Sequence, residues 1–280
     1  MEVIVCPDAE AATSLVAKLI ADRLRAKPEL VLGLATGRTM ERVYDHLVAI
    51  RRSTDLDFSG CRTFNLDEYI GIPGDDAHSY RYYMNRHLFD RVEIAAGNAF
   101  LPDGMASDLR AEANRYEQAI REAGGIDLQL LGIGEAGHIG FNEPLSALKS
   151  RTREKALTQI TREQNAAMFD GDVNRVPLRA LTMGVGTILD AREIVLLATG
   201  KAKAAVLARA VEGPITGMIS ASALQLHPNC KIVVDELAAA ALTQRAYYDW
   251  VFQNEPEWED YRSEIAARLA GPSGSDQLNR

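Results

Sequence analysis

His138 and Glu143 lie five residues apart in LLGIGEAGHIGFNEP (130–144), a spacing that lets a folded-back loop pair an imidazole with a carboxylate for acid and base work. Gly132, Gly134, Gly137 and Gly140 crowd the same segment, and glycine permits both positive φ and close approach of backbone to a ligand. A second carboxylate cluster, Asp67 and Glu68 in FNLDEYIG (64–71), follows another apolar run and argues against reading 130–144 as an ordinary loop with a capping histidine. A third candidate is LGLATGRTMERVYDHL (32–47), where Thr36, Gly37, Arg38 and Thr39 separate an apolar run from an amphipathic one. Hydroxyls, a glycine and N–H groups at a helix start make an anion site, and Arg38 can add a charge-assisted contact. The same residues also allow simple capping by Thr39 of a helix starting near Met40. Lys203, in ATGKAKAAVL (198–207), follows a further strand-like run; a lone lysine in that setting is usually solvated.

Two other readings fail on spacing. Residues 132–137 satisfy G-x-G-x-x-G, but Pro144 comes too soon for a crossover helix, and Glu154 lies in the charged stretch SRTREK (150–155) rather than at a strand end. The histidines at 46, 78, 87, 138 and 227 show no ligand spacing, and Asp67 and Glu68 have no neighbouring His or Cys, so neither a dinucleotide nor a metal site is expected.

The elements that must position these residues are legible as a pattern. Strand-like runs at 3–6, 30–34, 63–66, 128–133, 194–198 and 231–234 alternate with amphipathic stretches at 9–25, 40–51, 107–122 and 201–210. Such alternation implies an α/β fold with a mostly parallel sheet covered on both faces, whose ligands bind at the carboxyl ends of the strands. The loops at 35–39, 67–71 and 132–143 all begin where an apolar run stops. No internal repeat or linker divides the 280 residues. A net charge of −8 argues against a nucleic-acid partner, since phosphate backbones are held by surplus Lys and Arg. Cys6, Cys61 and Cys230 read as buried thiols in a reducing compartment. No basic leader and no run of about eighteen apolar residues is present, so a cytoplasmic protein without membrane contact is expected.

FNLDEY, GHIGFNEP, LTMGVGTILDA, the VEGP…LQLHP run and the TG-x-T loop together resemble the glucosamine-6-phosphate deaminase family, also called glucosamine-6-phosphate isomerases, collinearly over about residues 2–250. The related 6-phosphogluconolactonases share the fold but continue differently after Gly-His. The resemblance implies a modified Rossmann-like, three-layer α/β/α architecture. It implies one domain over 1–270 with a lid near 157–177, and a disordered tail at 271–280. The implied activity is of hydrolase and isomerase type in amino-sugar catabolism. D-glucosamine 6-phosphate and water would become D-fructose 6-phosphate and ammonia without a cofactor.

Carried over by motif, Asp67 is the general base, His138 promotes ring opening, and Glu143 orients His138, while Glu68 supports the loop. Thr36, Gly37, Arg38, Thr39 and Lys203 bind the phosphate, and Gly132 and Gly137 let backbone approach the sugar. Ser146, Arg153 and Lys155 match an intersubunit regulatory site for N-acetylglucosamine 6-phosphate, although Ala147 and Ala156 replace hydroxyl residues and SRTREK also reads as a solvated basic turn. Family members range from monomers to hexamers, which leaves a homo-oligomer open; the aromatic residues Trp250, Phe252 and Trp258 of 238–269 suit either the core or a neighbour.

Two departures stand out. Ala136 replaces the usual Asp or Asn before Gly-His, with Glu135 as a weak substitute, and Ala167 occupies the place of a lid arginine whose charge Arg38 would supply. They keep alive a related phosphorylated amino sugar or Amadori-type adduct as substrate, or a non-catalytic sugar-phosphate sensor.

Overall fold

The computed structural model describes residues 1–262, which leaves the tail expected at 271–280 outside the described residues. Its strands are β1 (Glu2–Cys6), β2 (Val31–Leu34), β3 (Arg62–Asn65), β4 (Asp67–Tyr69), β5 (Ala99–Phe100), β6 (Leu128–Leu131), β7 (Arg153–Ala156), β8 (Arg179–Thr182), β9 (Glu193–Ala198) and β10 (Cys230–Asp235). The helices are α1 (Ala9–Ala26), α2 (Arg38–Ser53), α3 (Tyr80–Met84), α4 (Asp90–Val92), α5 (Leu109–Glu122), α6 (Gln159–Asn165), α7 (Val185–Leu189), α8 (Ala204–Val211), α9 (Glu236–Ala239) and α10 (Arg245–Asn254).

Seven strands pair in parallel in the order β1-β10-β9-β6-β2-β3-β5. VLGL, LQLL, EIVLLA and CKIVVD are buried at every position, as strands sandwiched between helices must be. α1 packs on β1, β9 and β10 and against α2, while Tyr116 of α5 meets Phe64 of β3 edge-on at 5.8 Å. From β2 the chain proceeds outward through β3 and β5, then returns to β6 on the other side and continues through β9 to β10. The loops after β2 and β6 therefore diverge, opening the crevice where an open α/β sheet takes its ligand.

A second, antiparallel sheet in the order β4-β8-β7 differs from the sequence reading, which treats 67–71 as loop and SRTREK as a solvated turn. β4 is three residues long, and β7 reads REKA, half-buried and exposed in alternation; neither carries an apolar pattern of its own. Both become strands because β8 supplies their hydrogen-bond partners from far along the chain. The three cysteines are free and buried. Among the described residues no helix is long and apolar enough to cross a membrane. At the amino ends of β9 and β10, Trp258 is fully buried and Phe252 packs against it with ring centroids 5.6 Å apart, while Trp250 is exposed.

Candidate active site

The loops after β2, β3 and β6, three adjacent strands, line one cavity of about 160 Å³ with Thr36, Gly37, Asp67, Gly132, Gly134 and His138 among its walls. A larger cavity of about 300 Å³ lies elsewhere, beside Ile126 and Ala191, which precede β6 and β9. Its buried carboxylate, Glu117, is already satisfied by Arg151, Thr152 and Thr187, so size does not decide between the two.

α2 begins at Arg38, earlier than expected, and its cap is Gly37 with φ 122, a backbone that L side chains rarely adopt. Capping by Thr39 is thereby overturned, and no side chain caps this helix. Its opening turn is consequently free for an anion, where N–H groups and the helix dipole favour negative charge. The loop is held by tyrosines that sequence reasoning missed. Tyr44 donates to the Ala35 carbonyl and Tyr83 donates to the Gly37 carbonyl at 2.8 Å, while Tyr80 shares the cavity wall with Thr36.

Asp67 opens β4 opposite Thr182 of β8 and is 6% exposed. Its carboxylate hydrogen-bonds no other described residue. Burial, and next the charge of Glu68, push it up to about 8. Glu68 has a different task, accepting backbone N–H groups of Tyr69, Tyr80 and Arg81 at 2.8, 2.9 and 2.9 Å. Thr182 also accepts the N–H of Phe141 at 3.0 Å, so the small sheet joins Asp67 to the GHIGF loop.

His138 is buried on the cavity wall with Nδ1 3.5 Å from Glu143 Oε2, a loose pairing of the kind that tightens when substrate binds. The ring fits because residue 134 is glycine: a Cβ there would stand 2.0 Å from His138 Nε2. Burial would raise the Glu143 carboxyl, but the neighbouring His138 imidazole and Thr161 hydroxyl and the Thr158 amide, which donates to Oε1 at 3.0 Å, hold it down at about 2. Imidazole and carboxylate can thus act as an oriented proton carrier beside a separate base.

The remaining candidates are distributed unevenly. Gly132 lines the cavity, whereas Gly137 lies behind it against Ile219. Lys203 is half-buried at the start of α8; desolvation lowers its ammonium, against the charge of Glu135. Glu135 is exposed and faces Lys203, so it does not stand in for the carboxylate missing at Ala136. Arg38 and Ala167 are both exposed and neither lines the cavity; the segment 157–177 contributes Gln164, Asn165 and Met168 to it instead. Arg153 donates to Asn142 Oδ1 at 2.9 Å and Ser146 Oγ at 3.2 Å, and Lys155 follows two residues along the same face of β7. Tyr69 is the unforeseen joint of the site, its ring within 5.7 Å of Tyr80, Phe141 and Phe169 of the segment 157–177. Among the described residues no group of His, Cys, Asp and Glu could hold a metal ion.

Comparison with known proteins gives the family. Residues 8–229 match the family model of glucosamine-6-phosphate isomerases and 6-phosphogluconolactonases. The glucosamine-6-phosphate deaminase of Streptomyces coelicolor is 48% identical over 259 residues, covering 92% of this chain and 99% of its own. That of Shewanella loihica is 46% identical over 272 residues, covering 97% and 100%. A solved monomeric glucosamine-6-phosphate deaminase superposes with a TM-score of 0.84 at 43% identity, covering 86% of this chain and 100% of that one. The 6-phosphogluconolactonase of Trypanosoma cruzi, at a TM-score of 0.69 and 20% identity over 86% of this chain and 97% of its own, shares the fold alone. The chain belongs to the glucosamine-6-phosphate deaminase family.

Proposed function

We infer that this chain converts D-glucosamine 6-phosphate and water into D-fructose 6-phosphate and ammonia. The observation that carries the reading is a buried, otherwise unpartnered Asp67 carboxylate sharing one cavity with the His138–Glu143 pair and the open first turn of α2. The phosphate sits on Thr36, Gly37, Arg38 and Thr39, with Lys203 adding charge. His138 delivers a proton to the ring oxygen, which opens the sugar to its aldehyde. Asp67 takes the C2 proton and returns it at C1, turning the C2 amine into an imine. Water adds to that carbon and ammonia leaves, so atoms balance without a redox partner. Separate groups for ring opening and for the C2 to C1 transfer are what this chemistry requires. A base that titrates near 8 is matched to neutral or mildly alkaline operation.

A second reading, another phosphorylated amino sugar or an Amadori-type adduct, is favoured by Ala136 and Ala167, which remove a neighbour of His138 and a lid cation. Ammonia release coupled to fructose 6-phosphate detection separates the two, with galactosamine 6-phosphate and a phosphorylated fructosyl-amine assayed beside glucosamine 6-phosphate. Turnover of about 1 to 1000 per second on the first compound supports the deaminase. Activity confined to another compound makes the two alanines marks of altered specificity, and silence on all three withdraws both readings.

A further inference from the structure

The carboxylate that faces His138 is gripped from its other side by the lid. α6 opens at Thr158, its N-cap, whose hydroxyl accepts the N–H of Thr161 at 3.3 Å. The backbone N–H of Thr158 donates to Glu143 Oε1 at 3.0 Å, and its hydroxyl stands 3.2 Å from the same oxygen. The buried Thr161 hydroxyl is 3.1 Å from that of Thr158, whose place beside Glu143 it fixes. Oε2 is left to His138 Nδ1, 3.5 Å away. At the far end of α6, Gln164 Oε1 accepts the N–H of Glu135 at 3.2 Å, in the loop that carries His138.

From these contacts we propose that Thr158 and Thr161 are positioning residues through which the lid aligns Glu143 with His138. A glutamate side chain has several rotatable bonds; donors on Oε1 fix its end and aim Oε2 at the imidazole. Charge-assisted hydrogen bonds of this kind are stronger than neutral ones, so a displaced α6 frees Glu143 to turn away. Seating of the lid and alignment of the proton carrier are then one event, with closure that excludes water also readying His138. The inference rests on the roles given above to His138 and Glu143.

The test is T158V/T161V, which removes both hydroxyls while keeping side-chain shape and the Thr158 N–H. Turnover of glucosamine 6-phosphate is expected to fall about tenfold with KM changed by less than about twofold. Serine at both positions restores it. In nitrogen-15 histidine spectra, with the His138 signal assigned by H138Q, the His138 Nδ1 resonance shifts, because Glu143 Oε2 is no longer held facing that nitrogen. Wild-type turnover and an unmoved His138 Nδ1 resonance in the double variant overturn the proposal; T161V alone carries the same readouts where the double variant does not fold. E143Q separates the two levels. A slow E143Q beside a normal double valine variant removes only the lid's part, whereas a wild-type E143Q removes the roles of Glu143 and His138 themselves.

Discussion

Asp67→Asn should cost activity and add stability, and the second effect can be worked from the structure. Burial lifts the Asp67 carboxyl from 3.8 to about 8. Between those values the native state holds a proton that the unfolded chain releases. Native stability therefore contains a contribution that is full below pH about 4 and lost as pH rises through about 8. At 1.36 kcal/mol for each pH unit the whole displacement corresponds to about 6 kcal/mol. The cavity beside Asp67 admits water, so about 3 kcal/mol is the difference to look for. Asparagine keeps the shape without the ionisation. Urea unfolding of both proteins from pH 4 to 9 isolates the effect, because other titrating groups cancel in the difference. The variant should match wild type near pH 4, gain on it steadily up to pH 8, and hold a constant lead above that. Its turnover should nearly vanish at every pH while substrate binding persists, since only the proton-transfer step loses its base. A difference flat from pH 5 to 9 would show that Asp67 ionises like an exposed carboxylate and would refute the reasoning.

Replacement of Arg38 by alanine should raise KM about tenfold, the worth of one charge-assisted contact, with kcat little changed; a normal KM means that Lys203 and the α2 backbone suffice. Introducing aspartate at position 136 should raise turnover about threefold by restoring a carboxylate near His138, and an unchanged rate would mean that the imidazole needs no such neighbour here. Gly134→Ala places a methyl in the space of the His138 ring and should lower kcat about a hundredfold with the circular dichroism spectrum intact; wild-type kcat would show that the ring has room to move.

Much of the site was legible because chemistry-bearing residues sit where apolar runs end. The expected loops 35–39 and 132–143 do flank the crevice between β2 and β6, and His138 does approach Glu143. Other features left no local trace. Gly134 looked like one glycine among several until the position of the His138 ring showed why no Cβ fits. Tyr44 and Tyr83 carry no local mark of a role at the site, and their hydroxyls reach loop 35–37 only after folding. β7 carries charge on a strand, a pattern that resembles a turn until β8 pairs with it.

The sequence by itself determined the alternation of strand and helix, the parallel sheet that follows from it, and the family, because each rests on periodicity or on motifs whose residues are near neighbours. Tertiary structure alone decided that Asp67 and the GHIGF loop meet. Asp67 and Phe141 are joined through Thr182, whose strand pairs with β4 and whose hydroxyl takes the Phe141 N–H. It also decided the ionisation of Asp67, since desolvation depends on what packs around a carboxylate and not on its neighbours in the chain.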